Sequence, residues 1–274
     1  MVFRRRTALA RKTGGKRKFA RRVAPKRRVG AHKSMVKLIK SVIHKQAENK
    51  VVSYTANTAI YNYNSPTGFN ANNIIPLTPF TSYMNISQGT GQGDRIGNKV
   101  STRKCFIKFV LFPGTYSALN NPNPAPQDIR IIIFKWKDTP TTLASTSTMS
   151  NFWQRGDSSE APSGTLTDMI HDVNKDKYTV YYDKTVKVGY QNDATSGSYT
   201  FSQSYWNNDY KVNVIRKIDV TKWCPKTIGY LDNSTLPETP VLQMMILSST
   251  ADNTQNNAIP TGIVYSTQYE YEDM

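Results

Sequence analysis

The chain has 274 residues, with 36 Lys+Arg against 19 Asp+Glu and a formal net charge of +17. Residues 1–50 hold 18 Lys/Arg and a single acid, Glu48, whereas residues 51–274 hold 18 of each sign and are neutral. That excludes a uniformly basic fold and describes a cationic arm on a neutral body. The body is long enough to bury a core as one domain.

Residues 1–33 form the arm. Its basic residues are Arg4, Arg5, Arg6, Arg11, Lys12, Lys16, Arg17, Lys18, Arg21, Arg22, Lys26, Arg27 and Arg28, with Lys33 at its end and no acid among them. Like charge at this density repels itself, so the arm is expected to be disordered when alone. A polycation of this kind takes a polyanion, because neutralised phosphates release condensed counterions. Arginine outnumbers lysine over the first 30 residues, which suits bidentate phosphate contact. Phe3 and Phe19 are its aromatics, so stacking is not its main tool. Binding should be sequence-tolerant and salt-sensitive. Four Lys/Arg clusters exceed what nuclear import alone requires, although the same residues serve for import.

Residues 34–48 follow as a helix or linker. Met35, Leu38, Ile39, Val42 and Ile43 repeat at helical spacing behind Ser34, a candidate N-cap. The stripe reads equally as a helix that starts the fold or as one that packs on the domain, a neighbouring subunit or a membrane surface.

Residues 49–274 read as strands, rich in Val, Ile, Thr, Tyr, Phe and Trp between Gly, Pro, Asn and Asp. The expected strands are 51–63, 99–112, 128–137, 178–188, 199–206, 211–220, 241–249 and 262–271. Cys105, Ile107, Phe109 and Leu111 share one face of the second, and the third is apolar on both faces, as a central strand would be. The last alternates strictly, with Ile263, Tyr265, Thr267, Tyr269 and Tyr271 on one side. Long, uneven connections suit a double Greek key, so the expected fold is all-β: a single eight-stranded jelly-roll sandwich with a disordered or partly helical basic arm. The 139–177 connection carries Met149, Phe152, Trp153, Leu166, Met169 and Ile170, and is expected to hold a short helix and pack on a neighbour.

Residues that would carry chemistry are few. His171 is the one histidine of the body and reads as a solvated loop residue beside Asp168 and Asp172. Cys105 and Cys224 lack metal or redox spacing, and no nucleotide or hydrolase motif occurs. Gly89, Gly91 and Gly93 precede a strand rather than open a helix, so flexibility or a tight subunit contact fits them better than a phosphate cradle. Asp94, Asp157 and Asp232 have no spacing that supports calcium. The expectation is a non-enzymatic chain with no cofactor and no metal. No apolar run has the length of a membrane span, and the N-terminus lacks the apolar stretch of a secretory signal, so the chain is expected inside a cell.

The segment QGTGQGDRIGNKVSTRKCFIKFVLFP at 88–113 resembles capsid proteins of small circular Rep-encoding single-stranded DNA viruses, the circovirus-like group, whose shell domain is similar to that of satellite-necrosis-type plant viruses. The basic arm, the DKYTVYYDKTVKV block at 176–188 and the tyrosine-rich last strand match in the same order. The resemblance implies a single jelly roll that self-assembles into a closed icosahedral shell of sixty subunits, with arms inward on a single-stranded DNA genome. It implies a virion protein that visits the host nucleus through the import machinery and meets an unidentified host receptor. Sixty copies at +17 carry positive charge for about a thousand phosphates. Gly93, Asp94, Arg95, Gly97, Asn98 and Lys99 form its assembly motif, in which a fixed Arg95 guanidinium bridges carboxylates or carbonyls. Arg95→Lys is then expected to impair assembly and leave the subunit fold intact. The competing readings are a nuclear nucleic-acid-binding or shuttle protein with a β-sandwich body, and a carbohydrate-binding sandwich with a basic targeting tail. For the latter, Trp136, Trp153, Trp206 and Trp223 would supply the platforms.

Overall fold

The computed structural model describes residues 35–39, 42, 49–60, 73–80, 83–91, 93–113, 127–137, 149–163, 166–189, 213–249 and 261–273. The chain divides into two compact units, Met1–Gln46 and Ala47–Met274. In the first, residues 35–39 and 42 are helical, and residues 1–34 lie outside the described residues. Among the described residues no helix is long and apolar enough to cross a membrane.

The second unit is an all-β sandwich of antiparallel sheets. Its strands are β1 (Asn49–Ile60), β2 (Ile74–Pro76), β3 (Lys99–Pro113), β4 (Gln127–Trp136), β5 (Trp153–Arg155), β6 (Ser158–Glu160), β7 (Asp172–Val173), β8 (Tyr178–Val188), β9 (Val214–Asp219), β10 (Thr227–Gly229), β11 (Gln243–Ser249) and β12 (Thr261–Asp273). One large sheet runs β1-β12-β3, with β9 and β10 pairing along the free side of β3; the other runs β2-β11-β4-β8. The chain therefore crosses between sheets repeatedly, and β12 is wedged between β1 and β3 from far along the sequence.

Period-two alternation explains the packing. Cys105, Ile107, Phe109 and Leu111 of β3 and Ile263, Tyr265, Tyr269 and Tyr271 of β12 are all buried. They meet Ile129, Ile131 and Ile133 of β4 and Met244 and Ile246 of β11 in one core between the sheets. The opposite face of β4 is buried as well. Ile132 and Phe134 join Met245, Leu247, Met149, Phe152, Trp153 and Tyr178 in a second cluster, where the small sheet β6-β5-β7 covers the outside of the β2-β11-β4-β8 sheet. The expectation of a strand apolar on both faces holds, and its cause is this third layer.

Other expectations need correction. The segment after β1 was read as one long connection, yet it holds β2, which pairs with β11. Three residues are too few to show a period. The described part of the 139–177 segment holds β5, β6 and β7 besides the expected short helix, a 3-10 turn at Leu166–Met169; its Met149, Phe152 and Trp153 pack inside their own subunit, while Leu166 and Ile170 are exposed. The expected strand at 199–206, with Trp206, lies outside the described residues. Cys105 and Cys224 are buried free thiols; Cys105 donates to the Leu77 carbonyl at 2.9 Å, and its neighbour Cys224 together with burial holds its pKa well up.

Candidate functional site

The fold draws the expected assembly motif together around Arg95, whose side chain is buried while those of Asn98 and Lys99 are exposed. The backbone of 87–95 doubles back on itself: Arg95 N donates to Ser87 O at 2.8 Å and Gly89 N to Arg95 O at 3.0 Å. The Asp94 carboxylate sits in the bend, accepting from Gly91 N at 3.0 Å and from the Ser87 hydroxyl. Those two bonds, the Ser87 one foremost, hold its pKa below the ordinary carboxylate value. A Cβ on Gly89 or Gly91 would lie 2.6 Å from Asp94 Oδ2, so a side chain at either position would displace the carboxylate from the bend. Gly93 offers its carbonyl to the Tyr271 hydroxyl at 2.9 Å.

Arg95 is fully buried. Its Nη1 donates to Gly97 O at 2.6 Å and Asn98 Oδ1 at 3.1 Å, and its Nη2 to Leu231 O at 3.1 Å and Ser234 O at 2.8 Å. The guanidinium also lies 4.7 Å from the centre of the Tyr230 ring. Asn98 adds a bond from its amide to Asp232 and accepts Tyr230 N at 2.8 Å. Asp273, at the end of β12, accepts from Ile96 N at 2.5 Å and Gly97 N at 3.3 Å. Lys50, buried at the start of β1, reaches Asp94 O at 2.6 Å and Asp273 Oδ2 at 3.5 Å. Lys99 is exposed and opens β3. The motif is thus a pin that ties the loop before β3 to the loop after β10 and to strands β1 and β12 of its sheet. Tyr230, Leu231, Ser234, Tyr271 and Asp273 were invisible as partners in the sequence, because they lie more than 130 residues from Arg95.

One testable consequence concerns Gly91. Gly91→Ala pushes a methyl into the Asp94 carboxylate and should return its pKa toward the ordinary value in an NMR titration. A depressed folded pKa stabilises above the unfolded pKa and is lost as pH falls through the folded one. The stability gap between wild type and variant should therefore close on acidification, and a gap that persists at low pH would count against the carboxylate as its cause.

A second buried arginine escaped the sequence reading. Arg130 on β4 grips Asp183 of β8 through Nε at 2.8 Å and Nη2 at 2.5 Å, while Nη1 donates to the carbonyls of Asp168 and His171 at 2.7 Å each. It lies 5.0 Å from the Trp153 ring centre. It anchors the 166–173 segment onto the outer face of β4, so His171 stands at a structural joint. Asp168 accepts from Ser163 N at 2.7 Å. Among the described residues no group of three His, Cys, Asp or Glu is arranged to hold a metal.

The nucleic-acid-binding candidates, Arg4 through Arg28, all lie outside the described residues. On the body, cations divide by neighbour. On the β12 side of β3, Arg103 pairs with Glu272 and Lys104 lies 3.5 Å from Glu270. On the β9 side, Lys108 stands directly opposite Lys217.

No family model matches the chain, and no curated protein matches it. A solved structure of Desmodium yellow mottle tymovirus aligns over 82% of this chain and 89% of that one, at 11% identity and a TM-score of 0.33.

Proposed function

We propose that the chain is a viral coat subunit of the circovirus-like kind: it self-assembles into a closed shell and packages a single-stranded DNA genome through its basic arm. The observation that carries this reading is the division of charge, +17 within the first 50 residues and none on the sandwich. A catalytic or carbohydrate-binding body has no use for such an arm, whereas a packaging subunit needs a phosphate-neutralising segment tethered to a neutral wall. The strand order supports it. Numbering β1, β2, β3, β4, β8, β9, β11 and β12 as one to eight along the chain, the sheets run 1-8-3-6 and 2-7-4-5, which we read as the double Greek key of a jelly roll, an architecture common in capsids. Sixty copies, the inward arm, nuclear import through the same Lys/Arg clusters and an external receptor-binding face complete the reading.

Purified full-length protein should sediment and scatter light as uniform particles that shield nucleic acid from nuclease. A monomer that binds nucleic acid and leaves it nuclease-sensitive would turn the assignment to the nuclear shuttle alternative.

A further inference from the structure

We propose that the body carries its own single-stranded nucleic-acid contact, separate from the arm, on the open face of the β1-β12-β3-β9 sheet, centred on Phe106, Lys108 and Lys217. The inference takes the identity of the polymer from the reading above. Its geometry stands by itself.

The two large sheets are finished differently. The β2-β11-β4-β8 sheet is covered by the small sheet, whereas residues alternating outward on β3 and β9 remain accessible, among them Lys104, Lys108, Ile215 and Lys217. On this face the two strands bring like charges together. Lys108 and Lys217 are register partners, an arrangement that costs stability in a sheet unless something else uses the charge. Among the described residues neither has a salt bridge. The acid of β9, Asp219, accepts Thr221 N at 2.9 Å; its pKa is lowered first by Thr221 and, to a smaller extent, by the charges of Lys217 and Lys222.

Residues 99–113 contain four cations and no acid, and residues 214–226 contain four cations and one acid, on a body whose total charge is zero. The acids of β12 neutralise one flank of β3, so the surplus is left on the β9 flank. Between the two lysines lies an aromatic ring: the Lys217 ammonium is 4.5 Å and the Lys108 ammonium 5.5 Å from the centre of Phe106. A partly exposed ring beside two cations without salt bridges is what single-strand binders use, a stacking surface for any base with phosphates held alongside. When a strand docks, the lysines swing to its phosphates and a base replaces them over the ring. The arm joins the body at β1, the first strand of this same sheet, so a polymer held by the arm is tethered near it in sequence. An acidic protein segment would use the lysines and leave the ring without a role.

The test uses the full chain and a fluorescent oligothymidylate in salt titrations by anisotropy. Lys108→Gln with Lys217→Gln should flatten the salt slope by about 1.4 units, at about −0.7 per phosphate. Phe106→Leu should keep the slope and weaken binding about fivefold or more at fixed salt. Ultraviolet crosslinking should mark the tryptic peptide 105–108 in wild type and not in Phe106→Leu. All three substitutions are at surface positions, and equal melting temperatures establish that the fold is retained. If these variants match wild type in slope, affinity and crosslinks while Gln at Arg21, Arg22, Lys26, Arg27 and Arg28 flattens the slope, the platform is wrong and the arm reading survives. If the arm variant also changes nothing, both fall. Loss of particles with unchanged oligonucleotide binding would assign the patch to an acidic segment of another subunit and overturn the proposal.

Discussion

Removing residues 1–33 should abolish nucleic-acid packaging and leave the sandwich folded. The deletion takes 14 of the 36 basic residues and no acid, leaving 22 cations against 19 acids. The deletion ends before β1, which begins at Asn49. The size of the effect follows from counterion release. At a slope near −0.7 per phosphate, an arm that engages ten phosphates loses about seven decades of affinity per decade of salt, and a chain without it forfeits that entire term. Particles of the truncated chain, where they form, should be empty of nuclease-protected nucleic acid, while far-ultraviolet circular dichroism and thermal melting stay those of a β-sandwich. Wild-type loading of the truncated protein would remove the arm from the mechanism. The proposed contact at Phe106 should survive the truncation as weak residual binding, because it draws on different residues.

Replacing Arg95 should strike the subunit before it strikes the shell. Arg95→Met withdraws four hydrogen bonds from a fully buried site and leaves the carbonyls of Gly97, Leu231 and Ser234 without their donor. Breaking a buried charged network in this way costs about 3–5 kcal/mol. In a domain of this size that corresponds to a melting temperature lower by about 10 °C. Arg95→Lys retains the charge but cannot reach two loops with one planar fork, so it should fall between. The sequence-based expectation is impaired assembly of an intact subunit, with the guanidinium bridging carboxylates or carbonyls at close quarters. Its four hydrogen-bond acceptors lie within its own chain, so poor assembly should follow from loosened loops. The measurement is the melting temperature of unassembled subunits held at low concentration. If Arg95→Met melts as wild type does yet fails to form particles, the side chain acts between subunits after all.

How much was legible in the sequence can be argued strand by strand. Alternation placed β3 and β12, and runs rich in β-branched, aromatic and other apolar residues placed β4, β8 and β11, each to within about two residues. Both signals missed β2, β5, β6, β7 and β10, which have two or three residues each and exist only because a longer strand offers them a ladder. The GDRIGNK motif was visible as residues but not as a device. Its partners come from the loop after β10 and from Asp273, and backbone carbonyls leave no mark in a sequence. Arg130 went unnoticed for a related reason: a single cation in DIRIIIFKWK says nothing about Asp183 until β4 and β8 are paired.

The sequence by itself determined the charge split, the β class and which face of each long strand is apolar, since all three depend on composition and local period. Only the tertiary structure decided which sheet each strand joined, that a third layer buries the second face of β4, and that Arg95 is sealed inside the subunit. It alone placed Lys108 opposite Lys217 over Phe106. These facts depend on register between strands about a hundred residues apart, where contact follows from how the chain closes and not from what lies next along it.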